Sequence, residues 1–182
     1  MDTLFGQLTS DLHALVKGQL RIQAQLIALT EIVQHRSVDI DCLKANAFEM
    51  HCFLKGIPFL TQLVRPRHVL SPTERDTLLD DAEARGLLTE EDSDEIELAD
   101  LIIRGRRRGV GTTIYVLTEV SWGVGVDDVN RAAKRAAILA KAGVVVIPAV
   151  AGEWVTPDAQ QLAPGLGVWQ FTPSQAIPPT ER

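Results

Sequence analysis

The passage from Thr112 to Val150 constrains the fold more than any other part of the chain. Thr112-Thr113-Ile114-Tyr115-Val116-Leu117-Thr118-Glu119-Val120-Ser121 runs without polar alternation, so it predicts a strand covered on both faces. Trp122-Gly123-Val124-Gly125 turns the chain. A helix then follows from Asp127 to Ala142 through Ala132, Ala133, Ala136, Ala137 and Ala140, and Gly143 closes it. Val144 to Val150 is a second apolar strand, and a strand, helix, strand passage of this length predicts a right-handed crossover between parallel strands. Glu119 stands out within the first strand, with Ser121 two residues on along the same face. A carboxylate buried there is costly unless a metal ion or another cation neutralises it.

The first 35 residues carry a different signal. Phe5, Leu12, Gln19, Leu26 and Val33 fall at one heptad position, and Met1, Leu8, Leu15, Ile22 and Leu29 at the other. Sustained steps of three and four predict a coiled-coil helix on the order of 45 Å long, pairing with copies of itself. The flanking positions are poor in charge, so partner number and direction are not written in salt bridges, and Gly18 weakens the middle. The competing expectation is an amphipathic helix folded back on the body.

Between these regions, Val38 to Leu63 predicts a second helix burying Leu43, Ala47, Met50, Phe53 and Leu54, with Glu49 in it and Gly56 and Pro58 ending it. Leu63 to Leu70 has strand composition, and Pro66 assigns it to an edge. Ser71-Pro72-Thr73-Glu74 opens one helix and Thr89-Glu90-Glu91-Asp92 another, each with an acid placed to close a capping box. Glu97 to Arg104 is expected as a strand with Asp100 embedded in it, and Gly105 to Gly111 as a hairpin loop. Val168 to Phe171 adds a short strand, and residues 173–182 are expected as a frayed tail. The domain plan is therefore 1–35, 36–172 and 173–182.

Composition narrows the class. The chain has 182 residues, 46% hydrophobic, a mean hydropathy of +0.06 and a net charge of −6. No apolar run reaches the roughly 20 residues that span a bilayer, and no basic leader precedes the helix, so a cytoplasmic protein without a membrane partner is expected. Cys42 and Cys52 fit no disulfide framework or zinc spacing, and four scattered histidines exclude a mononuclear zinc enzyme. The excess of acid argues against a protein that coats nucleic acid, although Arg104, Arg106, Arg107 and Arg108 cluster where a phosphate contact is expected. Gly109-Val110-Gly111 and Gly123-Val124-Gly125 lack the remaining spacing of a phosphate-cradling loop, and no glycine fingerprint marks a Rossmann site.

Asp100 on one strand and Glu119 on the next, joined by a hairpin, bring two carboxylates side by side across the ribbon. Hard divalent cations are held by one or two carboxylates plus water, and such a metal activates water against phosphate. The strand order, the paired acids and the following helix resemble the core of the PD-(D/E)XK nuclease superfamily over roughly residues 40–150. Residues 128–132 and 148–153 are also similar to bacterial members of this superfamily that carry an N-terminal coiled coil. The resemblance implies a restriction-endonuclease-like mixed sheet flanked by helices and hydrolysis of nucleic-acid phosphodiesters with Mg²⁺ or Mn²⁺. It implies that Asp100 and Glu119 bind the metal, that Glu49 joins them, and that Glu119-Val120-Ser121 occupies the Glu-x-Lys element. Here the chain departs from the pattern: Ser121 donates a hydrogen bond but brings no positive charge. Lys134 on the following helix is the candidate replacement, with Arg131 behind it.

Each assignment has a structural competitor. Asp100 ends a strand or pairs with an arginine, Glu119 is a buried ion-pair partner of Arg131 or Lys134, Glu49 is a solvated helix residue, and the arginines form a soluble hairpin tip. The alternative function that follows is a catalytically inactive nuclease-like scaffold, assembled through its coiled coil.

Overall fold

The computed structural model describes residues 2–55, 57 and 60–179. The expectations placed on the side chains of Met1, Phe5, Leu8, Phe53 and Leu54, on Gly56 and Pro58, and on Thr180 to Arg182 fall outside the described residues. Contacts divide the chain into two compact units, Met1–Leu43 and Lys44–Arg182.

The first unit is the N-terminal part of helix α1 (Asp2–Lys55), which continues without a break past residue 35. The sequence divides this stretch into two helices, but nothing between Gln34 and Val38 stops a helix. Among the described side chains, Leu12, Leu15, Ile22, Leu26, Leu29 and Val33 are all more than half exposed. The heptad also extends beyond the expected limit, to Ile40 at one position and Leu43 at the other, with Gln19 and Arg36 as polar interruptions.

The second unit is a mixed sheet packed between helices. The last turns of α1 lead through a short 3₁₀ turn (Leu60–Gln62) into β1 (Val64–Val69). Next come α2 (Pro72–Ala84), α3 (Glu90–Glu97), β2 (Leu101–Arg107), β3 (Thr113–Val120), β4 (Gly123–Val124) and α4 (Val126–Ala140). The unit is completed by β5 (Val146–Ala151), β6 (Trp154–Val155), α5 (Pro157–Gly165), β7 (Trp169–Phe171) and β8 (Ala176–Ile177). The main sheet has the order β1-β2-β3-β5-β7-β8, while β4 and β6 form a parallel pair of their own. β1, β2 and β3 form an antiparallel meander. Helix α4 then crosses over, so that β5 lies parallel to β3 and β7 parallel to β5.

Local chemistry explains the element starts. Ser71 caps α2 and Thr89 caps α3, each in a reciprocal capping box with Glu74 or Asp92, as their spacing predicts. Pro66 sits on the edge strand β1, beside a register shift between Val64 and Arg67. Gly105 of β2 is required there, because a Cβ would come within 2.2 Å of the Pro66 carbonyl oxygen. One sheet face packs Leu101, Ile103, Ile114 and Val116 against Cys52, Ile57 and Leu60. On the other, Ile102 and Leu117 meet Leu79, Ile96 and Leu139 of α2, α3 and α4.

Three expectations are corrected, and one helix is added to them. Leu43, Ala47 and Met50 are exposed, and the C-terminal part of α1 instead turns Phe48 and Cys52 inward. Glu97 belongs to α3, so Asp100 occupies the bend just ahead of β2 rather than its interior. α5 was not foreseen, although Thr156 followed by Pro157 is a cap signal. Ala176 and Ile177, expected in the tail, pair with Phe171 and Gln170.

Candidate functional site

The antiparallel register of β2 and β3 ends with Leu101 opposite Thr118, and Asp100 and Glu119 are the next residues beyond that last pair. Glu119 lies on the face carrying Leu117, beneath α4, and Asp100 in the bend ahead of β2. The Asp100 charge raises the Glu119 carboxyl, so the two acids lie near each other.

Their partners decide what the pair can do. Glu119 is 2% exposed and lies against two arginines of α4. Arg135 Nη1 donates to both carboxylate oxygens, at 2.9 Å and 2.8 Å, and Arg131 Nε donates to Oε2 at 3.3 Å. Residues 131 and 135 are four apart, so both face the sheet from one side of the helix. Arg135 is itself buried, and it also donates from Nε to Glu95 at 2.9 Å and from Nη1 to the Leu98 carbonyl at 2.9 Å. Arg131 is paired with Asp128 as well, whose other oxygen accepts the Gly125 N–H at the start of α4. Desolvation raises the Glu119 carboxyl and nearby Asp100 raises it further, while the Arg135 hydrogen bonds oppose them. Arg135 is held above its ordinary value because Glu119 and Glu95 outweigh its own desolvation.

Asp100 is half-buried, and its Oδ2 accepts the Val120 N–H at 2.7 Å. Burial raises its carboxyl, against the lowering effects of that hydrogen bond and of Arg131 and Arg135. Glu49 is exposed on α1 and is raised by desolvation and by Asp100. These two acids share the walls of two clefts, of about 510 Å³ and about 340 Å³. The larger cleft also holds Arg75, whose Nη1 donates to the Glu97 and Ala99 carbonyls at 2.8 Å and 2.9 Å and so ties down the end of α3.

Two candidates from the sequence stand elsewhere. Lys134 pairs with Glu95 rather than Glu119, and it is largely exposed. Ser121 Oγ donates to the Gly123 carbonyl at 3.1 Å and closes the turn after β3. Arg104, Arg106, Arg107 and Arg108 lie toward the far end of β2 from Asp100 and in the turn that follows it. Arg135 and Arg75 were not singled out in the sequence. For Arg135 a signal exists: it lies three residues after Ala132 and four before Leu139, inside the apolar face of α4.

The donor set can be tested against a divalent cation. A metal shared by Asp100 and Glu119 needs free carboxylate oxygens, but both of Glu119's oxygens already accept from guanidinium groups. As arranged, the residues do not fit that ion. Among the described residues, no three His, Cys, Asp or Glu side chains are gathered closely enough to hold a metal. No family model, curated protein or solved structure matches the chain.

Proposed function

We propose that the chain is a nuclease-like scaffold that self-assembles through α1 and does not use its paired acids for metal-dependent hydrolysis. The observation that carries this reading is the grip of Arg135 on both oxygens of the buried Glu119. The sequence argument for a metal rests on the cost of burying that carboxylate, and here a guanidinium offsets part of it. Assembly is supported by the heptad side chains of α1 that stand in solvent. The likeness to the PD-(D/E)XK core is supported by the antiparallel meander, the crossover helix, the parallel strand after it, and the acids just ahead of β2 and within β3. Nucleic acid would meet this fold through Arg104, Arg106, Arg107 and Arg108.

A second reading, Mg²⁺- or Mn²⁺-dependent phosphodiester hydrolysis, is favoured by one observation: Asp100 and Glu119 follow directly on the last β2–β3 pair, Leu101 opposite Thr118. It requires Arg135 to release Glu119. A cleavage assay decides between them, with purified full-length chain, single- and double-stranded DNA and RNA, and either metal. The scaffold reading expects no cleavage above that of Asp100→Asn. Metal-dependent cleavage abolished by Asp100→Asn overturns it.

A further inference from the structure

Between Leu12 and Leu43 the heptad face of α1 is interrupted twice, and the two interruptions are placed symmetrically. The apolar members are Leu12, Leu15, Ile22, Leu26, Leu29, Val33, Ile40 and Leu43, all at least half exposed, and the polar members Gln19 and Arg36 are exposed with them. Gln19 stands eight residues before Ile27, and Arg36 eight residues after Ala28. They also differ in kind of position: Gln19 belongs to the series of Leu12, Leu26, Val33 and Ile40, and Arg36 to that of Leu15, Ile22, Leu29 and Leu43.

Arg36 sets the direction in which two such helices can pair. Parallel helices in register bring each seam residue against its own copy, so two guanidiniums meet. Each has five donors and no acceptor, and like charges set against each other across an interface repel. Antiparallel helices bring one series against the other. Turned about the point between Ile27 and Ala28, they set Arg36 against Gln19, whose amide oxygen accepts from the guanidinium. The same register joins Leu12 to Leu43, Leu15 to Ile40, Ile22 to Val33 and Leu26 to Leu29, so every other layer in this stretch is apolar on both sides. Sliding it by one heptad in either direction sets both Gln19 and Arg36 against leucines. A parallel pair would gain a flanking contact of Asp39 with Lys44, but an exposed ion pair contributes little, and Lys44 is drawn over the Trp122 ring, 5.7 Å from its centroid.

We infer that α1 pairs with α1 of a second copy as an antiparallel two-stranded coil in this register, Gln19 of each chain against Arg36 of the other. A two-fold axis across the helix pair satisfies both polar layers at once, so two copies close the contact. This pairing rests on the assembly through α1 proposed above and gives it a direction and a register.

A native thiol provides the test. Cys42 is exposed, whereas Cys52 is buried and burial pushes its thiol up to about 11, so a spin label added to full-length chain marks Cys42. The antiparallel register lays Cys42 beside His13 of the second copy, which puts the two labels about 45 Å apart at about 1.5 Å per residue. Dipolar spectroscopy should return that distance. A dimer whose labels lie within about 20 Å is parallel, which overturns the inference and leaves assembly through α1 intact. A mass of 19.9 kDa at every concentration in light scattering removes that assembly, and the inference with it. Sedimentation equilibrium gives a second readout, with helix content checked by circular dichroism. Gln19→Lys should weaken the dimer at least about tenfold by opposing Arg36, Gln19→Glu should not weaken it, and Gln19→Lys with Arg36→Glu should restore it to within about threefold. Equal weakening by Gln19→Lys and Gln19→Glu is the mark of a parallel seam and also overturns the inference.

Discussion

At the scale of single residues, the question is what neutralises Glu119. Removing one partner of a buried ion pair leaves the other charge desolvated and alone, which costs about 3–5 kcal/mol. Arg135→Met should therefore destabilise the fold by about that much in urea denaturation, whereas Arg131→Met, at a more exposed site, should cost less. Adding Glu119→Gln to Arg135→Met should recover most of the loss, and additivity of the two changes would deny the coupling. The sequence made the need for a counter-charge legible, since a carboxylate in an apolar strand announces it. It pointed to Lys134 because a lysine fills the family pattern, but position 134 lies on the exposed flank of α4 while 135 falls within its buried arc.

Glu74 gives a pH dependence of its own. The Ser71 N–H, and after it the His68 and Ser71 side chains, hold its carboxyl at about 2, below the ordinary 4.5. A depressed carboxyl contributes stability that is complete above its ordinary value and is lost as pH falls toward the folded one. Glu74→Gln should thus flatten the fall in Tm between pH 4.5 and 2 relative to wild type. Asp100 and Glu119 are shifted upward, so their contribution is greatest in acid and declines as pH rises through the folded values. An identical acid limb in Glu74→Gln and wild type would contradict the assignment.

At the scale of elements, close approach and caps carry the specificity. A methyl group on Gly105 meets backbone at Pro66 and the Val64 side chain at 2.4 Å, so β1 must move away. Gly105→Ala should cost about 1–3 kcal/mol, the usual penalty for overpacking, while Gly86→Ala, with open space around it, strains only its positive φ. Hydrogen exchange should show β1 amides losing protection in Gly105→Ala; unchanged protection would deny the contact. Elements with local chemistry were legible: the capping boxes of α2 and α3, the apolar run of β3 and the crossover through α4. Those fixed by tertiary pairing were not. β8 has only two residues and no strand signal, and the buried side of α1's last turns is chosen by the sheet it meets, which selects Phe48 and Cys52.

At the scale of the whole molecule, the heptad side chains of α1 and the acid pair in the sheet bear on different halves of the account. Light scattering on full-length chain should give a multiple of 19.9 kDa, falling when Leu26→Lys and Leu29→Lys break the heptad face. A mass of 19.9 kDa at every concentration would remove assembly through that face. The central claim, that an arginine rather than a metal answers the buried charge of Glu119, is tested most directly by titrating Mn²⁺ into the full-length chain in a calorimeter. The account predicts no saturable binding. Stoichiometric uptake that disappears in both Asp100→Asn and Glu119→Gln would contradict it.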